Sequence, residues 1–305
     1  MTRARSRRTV HVVPGSSEKF LAKAAELDAD QIVLDLEDAV APDEKERARA
    51  LVVTALRELD LPGKTLSVRV NATDSPHCYR DVIAIAEQAG ERLDTIVLPK
   101  ARTTADIAWA DLLLGQIELA TDLEPGRIGI DAQIEDATGL VHCEAIAAAS
   151  PRMEALHFGP GDYSASLGIP TTTIGGTPEG YPGDHFNHVY SRIVVAARAA
   201  GIQAIDGPYG DLRDDDGLRA RARLARALGL DGKWTIHPAQ IATVNEIFTP
   251  TDEELARAEA LLAAYAQATQ GERRGAALFE GEMVDEASRK MAERVVRAGR
   301  AARAD

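Results

Sequence analysis

The sequence has few cysteines, no long apolar run and no excess of basic residues. Cys78 and Cys143 are its only cysteines, and neither sits in a CxxC pair. A disulfide framework and a zinc cage are therefore disfavoured, and a reducing, cytoplasmic setting is expected. No stretch approaches the roughly 20 uninterrupted apolar residues of a membrane-spanning helix. The basic start, Met1–Val10, runs straight into Val10-His11-Val12-Val13-Pro14-Gly15, which is too short for the apolar part of a secretory leader. A net charge of −13 argues against duplex nucleic acid as a partner. An acidic chain can still hold an anionic cofactor where its cations are gathered in one place.

What is present is 305 residues, 45% hydrophobic and 27% charged, enough for one large core as a barrel or for two smaller domains. A short run rich in β-branched residues recurs eight times: Thr9–Val13, Gln31–Leu36, Leu66–Val70, Thr95–Leu98, Ile128–Ile134, Ala155–Phe158, Gln203–Ile205 and Lys233–Ile236. Between them Glu18–Leu27, Asp43–Leu56, Thr138–Ala149, Val189–Ala200 and Asp211–Leu228 repeat apolar residues at helical spacing. Eight strand-then-helix units predict an α/β fold, a closed (β/α)8 TIM barrel over residues 1–248, with an open doubly wound sheet as the alternative. Pro170–His185, rich in Gly, Pro and Thr, reads as a long loop after the sixth strand. Residues 249–305 form a C-terminal helical extension. Thr251–Gln270 is a helix opened by the capping pattern Thr251-Asp252-Glu253-Glu254; a glycine-bearing turn, Gly271–Gly281, and a last helix from about Val284 to Ala302 follow. A barrel closes without this extension, so its expected work is as a lid or an intersubunit contact.

Chemistry on such a barrel sits at the carboxyl ends of the strands. Here the exits carry Ser16; Asp35, Glu37 and Asp38; Arg69; Lys100; Glu135; Gly161 and Asp162; Asp206; and His237. Glu135 and Asp162 come from adjacent strands, so their carboxylates can converge and hold a hard cation such as Mg²⁺, or each can pair with arginine or cap a helix. Arg69, between Val68 and Val70, faces opposite to its apolar neighbours. There it meets Glu37 or Asp38 structurally, or offers its planar fork to a substrate carboxylate. Lys100, Asp206 and His237 line the same rim. Pro14-Gly15-Ser16-Ser17-Glu18-Lys19, with Lys23 one turn on, is either a plain helix cap or a phosphate contact.

Taken in order, Val13-Pro14-Gly15-Ser16, Val33-Leu34-Asp35-Leu36-Glu37-Asp38-Ala39-Val40, Val68-Arg69-Val70-Asn71, Leu98-Pro99-Lys100, Ile134-Glu135, Phe158-Gly159-Pro160-Gly161-Asp162-Tyr163, Gly232-Lys233-Trp234-Thr235-Ile236-His237-Pro238 and Gly281-Glu282-Met283-Val284-Asp285 resemble the HpcH/HpaI aldolase and citrate lyase β-subunit family. Within it, Ile193–Tyr209 and Phe279–Lys290 are more similar to malyl-CoA lyases. The resemblance implies a carbon–carbon lyase that uses Mg²⁺, or Mn²⁺ in its place. It would cleave L-malyl-CoA or β-methylmalyl-CoA to acetyl-CoA or propionyl-CoA plus glyoxylate through a thioester enolate. It implies Glu135 and Asp162 as metal ligands, with Arg69 at the 2-oxo acid and the thioester oxygen. Asp285 would be a base reaching a neighbouring subunit's site in a trimer or hexamer. Glu37, Asp38 and Gly161 would lie around the substrate, and Ser16, Lys19 and Lys23 near the coenzyme A phosphates. Val12 departs from the family, standing where relatives often carry a bulky aromatic, and Glu18 stands where many carry proline. The alternatives are a malyl-CoA thioesterase, which would release free malate, and a lyase for citramalyl-CoA or a citryl thioester.

Overall fold

Strand residues alternate between two environments, and that alternation closes the barrel. The computed structural model describes residues 5–178, 180–271 and 275–302. Parts of the basic start (1–4), of the Pro170–His185 segment (179) and of the Gly271–Gly281 turn (272–274) lie outside the described residues, as do the last three. The chain divides into two units, Met1–Phe248 and Thr249–Asp305.

The first unit is a closed, all-parallel barrel of β1 (Thr9–Pro14), β2 (Gln31–Asp35), β3 (Thr65–Arg69), β4 (Thr95–Leu98), β5 (Gly129–Ile134), β6 (Met153–Phe158), β7 (Gln203–Asp206) and β8 (Gly232–Thr235), with β8 paired back onto β1. Outward residues such as Ile32, Leu34, Val68, Ile96, Ile130 and Leu156 join one core beneath the surrounding helices. Inward residues form a small apolar layer of Val10, Val33, Val97, Ala155, Ile205 and Trp234. The strands follow the expected runs to within a residue or two at each end. The helices differ more. Thr138–Ala149, expected as one helix, breaks at His142 into Ala137–Val141 and Cys143–Ala147. His142 leaves helical geometry (φ −106°, ψ 9°), and its Nδ1 contacts the Arg102 carbonyl at 3.1 Å. Helices Cys78–Ala89, Thr104–Ala120 and Ile241–Phe248, not singled out by periodicity, complete the outer ring.

The second unit packs helix Asp252–Ala266 against helix Glu286–Ala301 through Leu255, Ala258, Ala292 and Val296. Thr251 Oγ1 accepts the Glu254 N–H (3.1 Å) and Glu254 returns a carboxylate to the Thr251 N–H (2.8 Å), a reciprocal cap. The expected glycine-bearing turn is instead a hairpin of β9 (Ala277–Phe279) and β10 (Glu282–Val284). Glu280 (φ 50°) and Gly281 (φ 84°) turn it with the double left-handed geometry that two-residue hairpins favour. Val284 is therefore strand, and the last helix starts at Glu286 with Asp285 as its cap.

The barrel's lower interior is polar. Arg7, its side chain fully buried, donates to Gln31 Oε1 (2.9 Å), Asp131 Oδ1 (3.2 Å), Glu154 Oε2 (2.8 Å) and Gln203. Asp131 also accepts from Thr95 Oγ1 (2.9 Å) and Gln31 Nε2 (3.2 Å). Burial opposes the Asp131 charge, yet the Arg7 guanidinium holds its carboxyl well below the usual range. Removing one partner of a buried ion pair strands the other. Arg7→Met should therefore lower stability by about 3–5 kcal/mol in chemical denaturation, and Arg7→Met/Asp131→Asn should recover part of that loss. A loss under about 1 kcal/mol for the single variant would show that this polar lower interior is not held by the charge pair.

Candidate active site

The carboxyl ends of the strands surround a cavity of about 360 Å³, within the range of small-molecule sites. Its lining includes Asp35, Arg69, Glu135, Gly161 and Asp162, with Val12, Ile174, Pro208 and Ile236 as apolar wall.

The chain enters this mouth through a tight turn after β1. The Gly15 N–H donates to the Asp35 carbonyl (2.8 Å), and a Cβ at Gly15 would meet that carbonyl and Val52. Asp35, fully buried at the end of β2, receives four hydrogen bonds. Arg69 Nε and Nη2 reach its two oxygens at 2.7 Å each, and the backbone N–H groups of Glu37 and Ala39 add one each at 3.0 Å. Burial opposes the Asp35 charge, but Arg69 and these N–H groups outweigh it and hold the carboxyl below its ordinary range. The expected partners of Arg69 were Glu37 or Asp38. Both are met, Glu37 Oε2 at 3.1 Å and Asp38 Oδ2 at 3.7 Å from Nη1, but the bidentate partner is Asp35, which was not expected. The reason is parity: Asp35 pairs with Arg69 in the parallel register of β2 and β3, so both side chains turn inward together.

Lys100 follows β4 with φ 50°, in the left-handed region that costs a non-glycine residue on the order of 1–3 kcal/mol. Its N–H donates to Glu135 Oε1 (2.6 Å), while its ammonium pairs with Glu37 and stands 3.9 Å from Asp162 Oδ2. Burial works against the Lys100 charge, but Glu37 raises its pKa above the usual lysine value. Glu37 itself is raised by burial and by Asp38, against Arg69 and Lys100.

Glu135, 1% exposed, also accepts from Gln133 Nε2 (2.8 Å). It lies across Gly159, where any Cβ would run into its carboxylate. Pro160 opens helix Pro160–Leu167 and sets Asp162 in the first turn, half-exposed toward the cavity. Burial pushes the Glu135 carboxyl up to about 8, and the charges of Glu37 and Asp162 add to the push.

The charge balance shows what this site can hold. Asp35, Glu37, Asp38, Glu135 and Asp162 share the cations Arg69 and Lys100, with Lys45 behind Asp35 and Glu37 on the Leu36 and Glu37 carbonyls, and the group whose ionisation this balance most opposes is Glu135. Among the described residues no three His, Cys, Asp or Glu are arranged as a metal cage. Two carboxylates beside an open cavity fit Mg²⁺, which takes one or two protein carboxylates and keeps its other positions for water and substrate.

The remaining candidates fall elsewhere. Asp206, 1% exposed, accepts from Lys233 Nζ (2.6 Å), a buried pair between the end of β7 and the start of β8. His237 is exposed, and its Nδ1 caps a short helix by accepting the Ala239 N–H (3.2 Å). Ser17, not Ser16, caps helix Glu18–Lys23, on which Lys19 and Lys23 are exposed; the Ser16 carbonyl accepts from Arg47. Asp285 belongs to the second unit, where Oδ1 accepts the N–H groups of Ala287 (2.9 Å) and Ser288 (3.2 Å). Sequence reasoning missed the central position of Asp35 and the part of Trp234, whose ring lies 5.5 Å from the Arg69 guanidinium carbon. Strand parity applied to Asp35 and Trp234 would have turned both inward.

The chain is 45% identical over 296 residues to the L-malyl-CoA/beta-methylmalyl-CoA lyase of Cereibacter sphaeroides, covering 93% of this chain and 92% of that one. It is 34% identical over 310 residues to the malyl-CoA/beta-methylmalyl-CoA/citramalyl-CoA lyase of Chloroflexus aurantiacus, covering 96% and 87%. The crystal structure of protein CitE from Mycobacterium tuberculosis, in complex with magnesium, acetoacetate and coenzyme A, superposes with a TM-score of 0.76 at 34% identity, covering 96% of this chain and 98% of that one. Residues 8–238 match the model of the HpcH/HpaI aldolase/citrate lyase family, and with relatives at this identity over nearly the whole chain, the chain belongs to that family.

Proposed function

We propose that this protein is a magnesium-dependent lyase that reversibly cleaves a 3-hydroxyacyl-CoA, L-malyl-CoA or β-methylmalyl-CoA, to acetyl-CoA or propionyl-CoA plus glyoxylate. The observation that carries the reading is the placement of opposite chemistries in one cavity. Glu135 is a carboxyl whose ionised form is disfavoured by burial and by Glu37 and Asp162, so that a cation bound there would be needed to stabilise it, and Arg69 lines the same cavity with two of its three nitrogens engaged by Asp35. The relatives' names supply the substrate class.

In this reading Glu135 and Asp162 hold Mg²⁺, or Mn²⁺ in its place. When bound, the cation polarises the carbonyl of the 2-oxo acid as a Lewis acid. Arg69 Nη1, which lies outside the Asp35 fork and stands 3.1 Å from Glu37 Oε2, meets the thioester oxygen as enolate charge develops, in the manner of an oxyanion hole. Lys100 and Glu37 hold the two charge systems in register; Asp38, more exposed, and the Gly161 backbone border the substrate. Asp285, from an adjacent subunit, removes the proton from the acyl-CoA methyl or methylene group, and the enolate carbon then attacks the aldehyde carbon of glyoxylate. Exposed Leu278, Met283 and Met291 in the second unit support a contact with another copy, in a trimer or hexamer with shared sites. Ser16, Lys19 and Lys23 are the candidate contacts for the coenzyme A phosphates. Among the described residues no helix is long and apolar enough to cross a membrane.

The test is product identity. Malyl-CoA incubated with the protein and Mg²⁺ should give acetyl-CoA and glyoxylate; free malate plus coenzyme A would make it a thioesterase instead. Glu135→Ala and Asp162→Ala should each abolish turnover while leaving the barrel folded by circular dichroism, because neither removes a side chain of the apolar core. Near-normal activity in either variant, or indifference to EDTA, would remove the metal site. Glu135 must lose its proton to bind a cation, and its carboxyl is pushed up to about 8 in the metal-free protein. Mg²⁺ affinity measured by calorimetry should therefore tighten as pH rises toward 8, by up to about tenfold per unit, with proton release, and level off above it. Affinity independent of pH across that range would contradict this electrostatic account.

Asp285→Asn should bind Mg²⁺ and coenzyme A but fail to exchange the acetyl-CoA methyl protons with deuterated water. Mixed oligomers of Asp285→Asn and Glu135→Ala subunits should regain partial activity. Confirmed mixed oligomers that stay inactive would place Asp285 in its own subunit's site.

A further inference from the structure

Beneath Arg69 the cavity floor is a tryptophan to which the chemistry above assigns no part. Trp234, in β8, is 3% exposed and lines the cavity, with its ring centroid 5.5 Å from the guanidinium carbon. Its indole Nε1–H donates to His157 Nδ1 at 2.6 Å, and the two rings meet edge-on, 5.7 Å apart at 89°. His157 is fully buried, and its Nε2 stands 3.6 Å from Asp131 Oδ2, the carboxylate held by Arg7. Accepting the indole proton leaves Nδ1 bare, so a neutral imidazole carries its proton on Nε2, toward Asp131. Burial lowers the pKa of His157 and so favours that neutral form.

The fork to Asp35 fixes two nitrogens of Arg69 in one plane, and Glu37 Oε2 stands 3.1 Å from the third without a hydrogen bond to set its angle, so the planar pair can still hinge about the line joining its two hydrogen bonds. An aromatic face against the guanidinium opposes the hinge, through cation–π attraction and through bulk. The ring does this only while its own orientation is held, and the bond to His157 holds it. We propose that Trp234 is a positioning residue for Arg69. Clamped by His157, the indole keeps the guanidinium in the plane that presents Nη1 to the substrate. The inference rests on the reading of Arg69 as the group that meets the thioester oxygen.

The variants separate ring from clamp. Trp234→Leu removes both, Trp234→Phe keeps a ring without its N–H, His157→Leu strands the N–H, and His157→Gln keeps an acceptor for it. Trp234→Leu and His157→Leu should each lower kcat about tenfold, equivalent to about 1.4 kcal/mol, with KM for the acyl-CoA changed less than about twofold. His157→Gln should recover most of that loss. In a Trp234→Phe background, His157→Leu should add little, since no N–H remains to strand. Equal activity in His157→Leu and His157→Gln, or kcat and KM shifting together, would overturn the clamp. If Trp234→Leu does not fold, the two His157 variants still decide, because they leave the tryptophan in place. A wild-type protein without lyase turnover would sink the functional reading rather than this contact. The contact can then be read from fluorescence, since the chain has two tryptophans and Trp109→Phe leaves Trp234 alone. Adding Arg69→Met should shift that emission; an unchanged spectrum would show that the ring does not sense the guanidinium.

Discussion

The ion pair between Asp35 and Arg69 is the constraint on which the mouth of the barrel depends. Both side chains are buried, so neither charge could be kept alone. Asp35 solves its part by accepting four hydrogen bonds, two from backbone N–H groups of the segment that follows β2. The same carboxylate that fixes the guanidinium thus folds the Glu37–Ala39 turn and delivers Glu37 to Lys100 and Arg69. Lys100 in turn reaches Glu135 through its backbone and stands near Asp162 through its ammonium. One buried pair organises the cations, and the group whose ionisation the resulting balance most opposes is Glu135.

The barrel interior carries the same logic downward. Arg7 neutralises Asp131, Asp131 faces His157, His157 accepts the proton of Trp234, and Trp234 lies against Arg69. The apolar layer between this polar interior and the mouth is small, and Trp234 is its largest side chain. Polar groups inside a barrel are tolerated only when each finds partners, and here the chain of partners ends at the site itself. Stability and positioning are therefore supplied by one network.

Much of this was legible in the amino-acid order. Eight β-branched runs separated by helical spacing define the barrel because each strand is buried on both faces, and their exits name Glu135, Asp162 and Arg69. The partner of Arg69 was less legible. Glu37 and Asp38 are as near in sequence as Asp35, and only the strand register, with Asp35 opposite Arg69, selects among them. The left-handed backbone of Lys100 had no signal, since a lysine does not announce a positive φ as glycine does. The β9–β10 hairpin hid because its strands are three residues long, too short for a period of two to register. Asp206 and His237 look alike as strand-exit polar residues, yet one is sealed by Lys233 and the other caps an exposed turn. Exit position alone does not distinguish a cavity group from a structural one.

The central claim is that Arg69, oriented by Asp35, stabilises the thioester enolate with Nη1, the nitrogen outside the Asp35 fork. The most direct measurement is the rate at which the protein exchanges the methyl protons of acetyl-CoA with deuterated water, compared between wild type and Arg69→Lys. Lysine keeps the charge but cannot grip Asp35 with a planar fork and also reach the substrate. The account predicts exchange slowed on the order of 100-fold or more in the variant, the scale of losing an oxyanion donor, with Mg²⁺ binding retained. Exchange at the wild-type rate in Arg69→Lys would contradict it and leave Arg69 as a structural partner of Asp35.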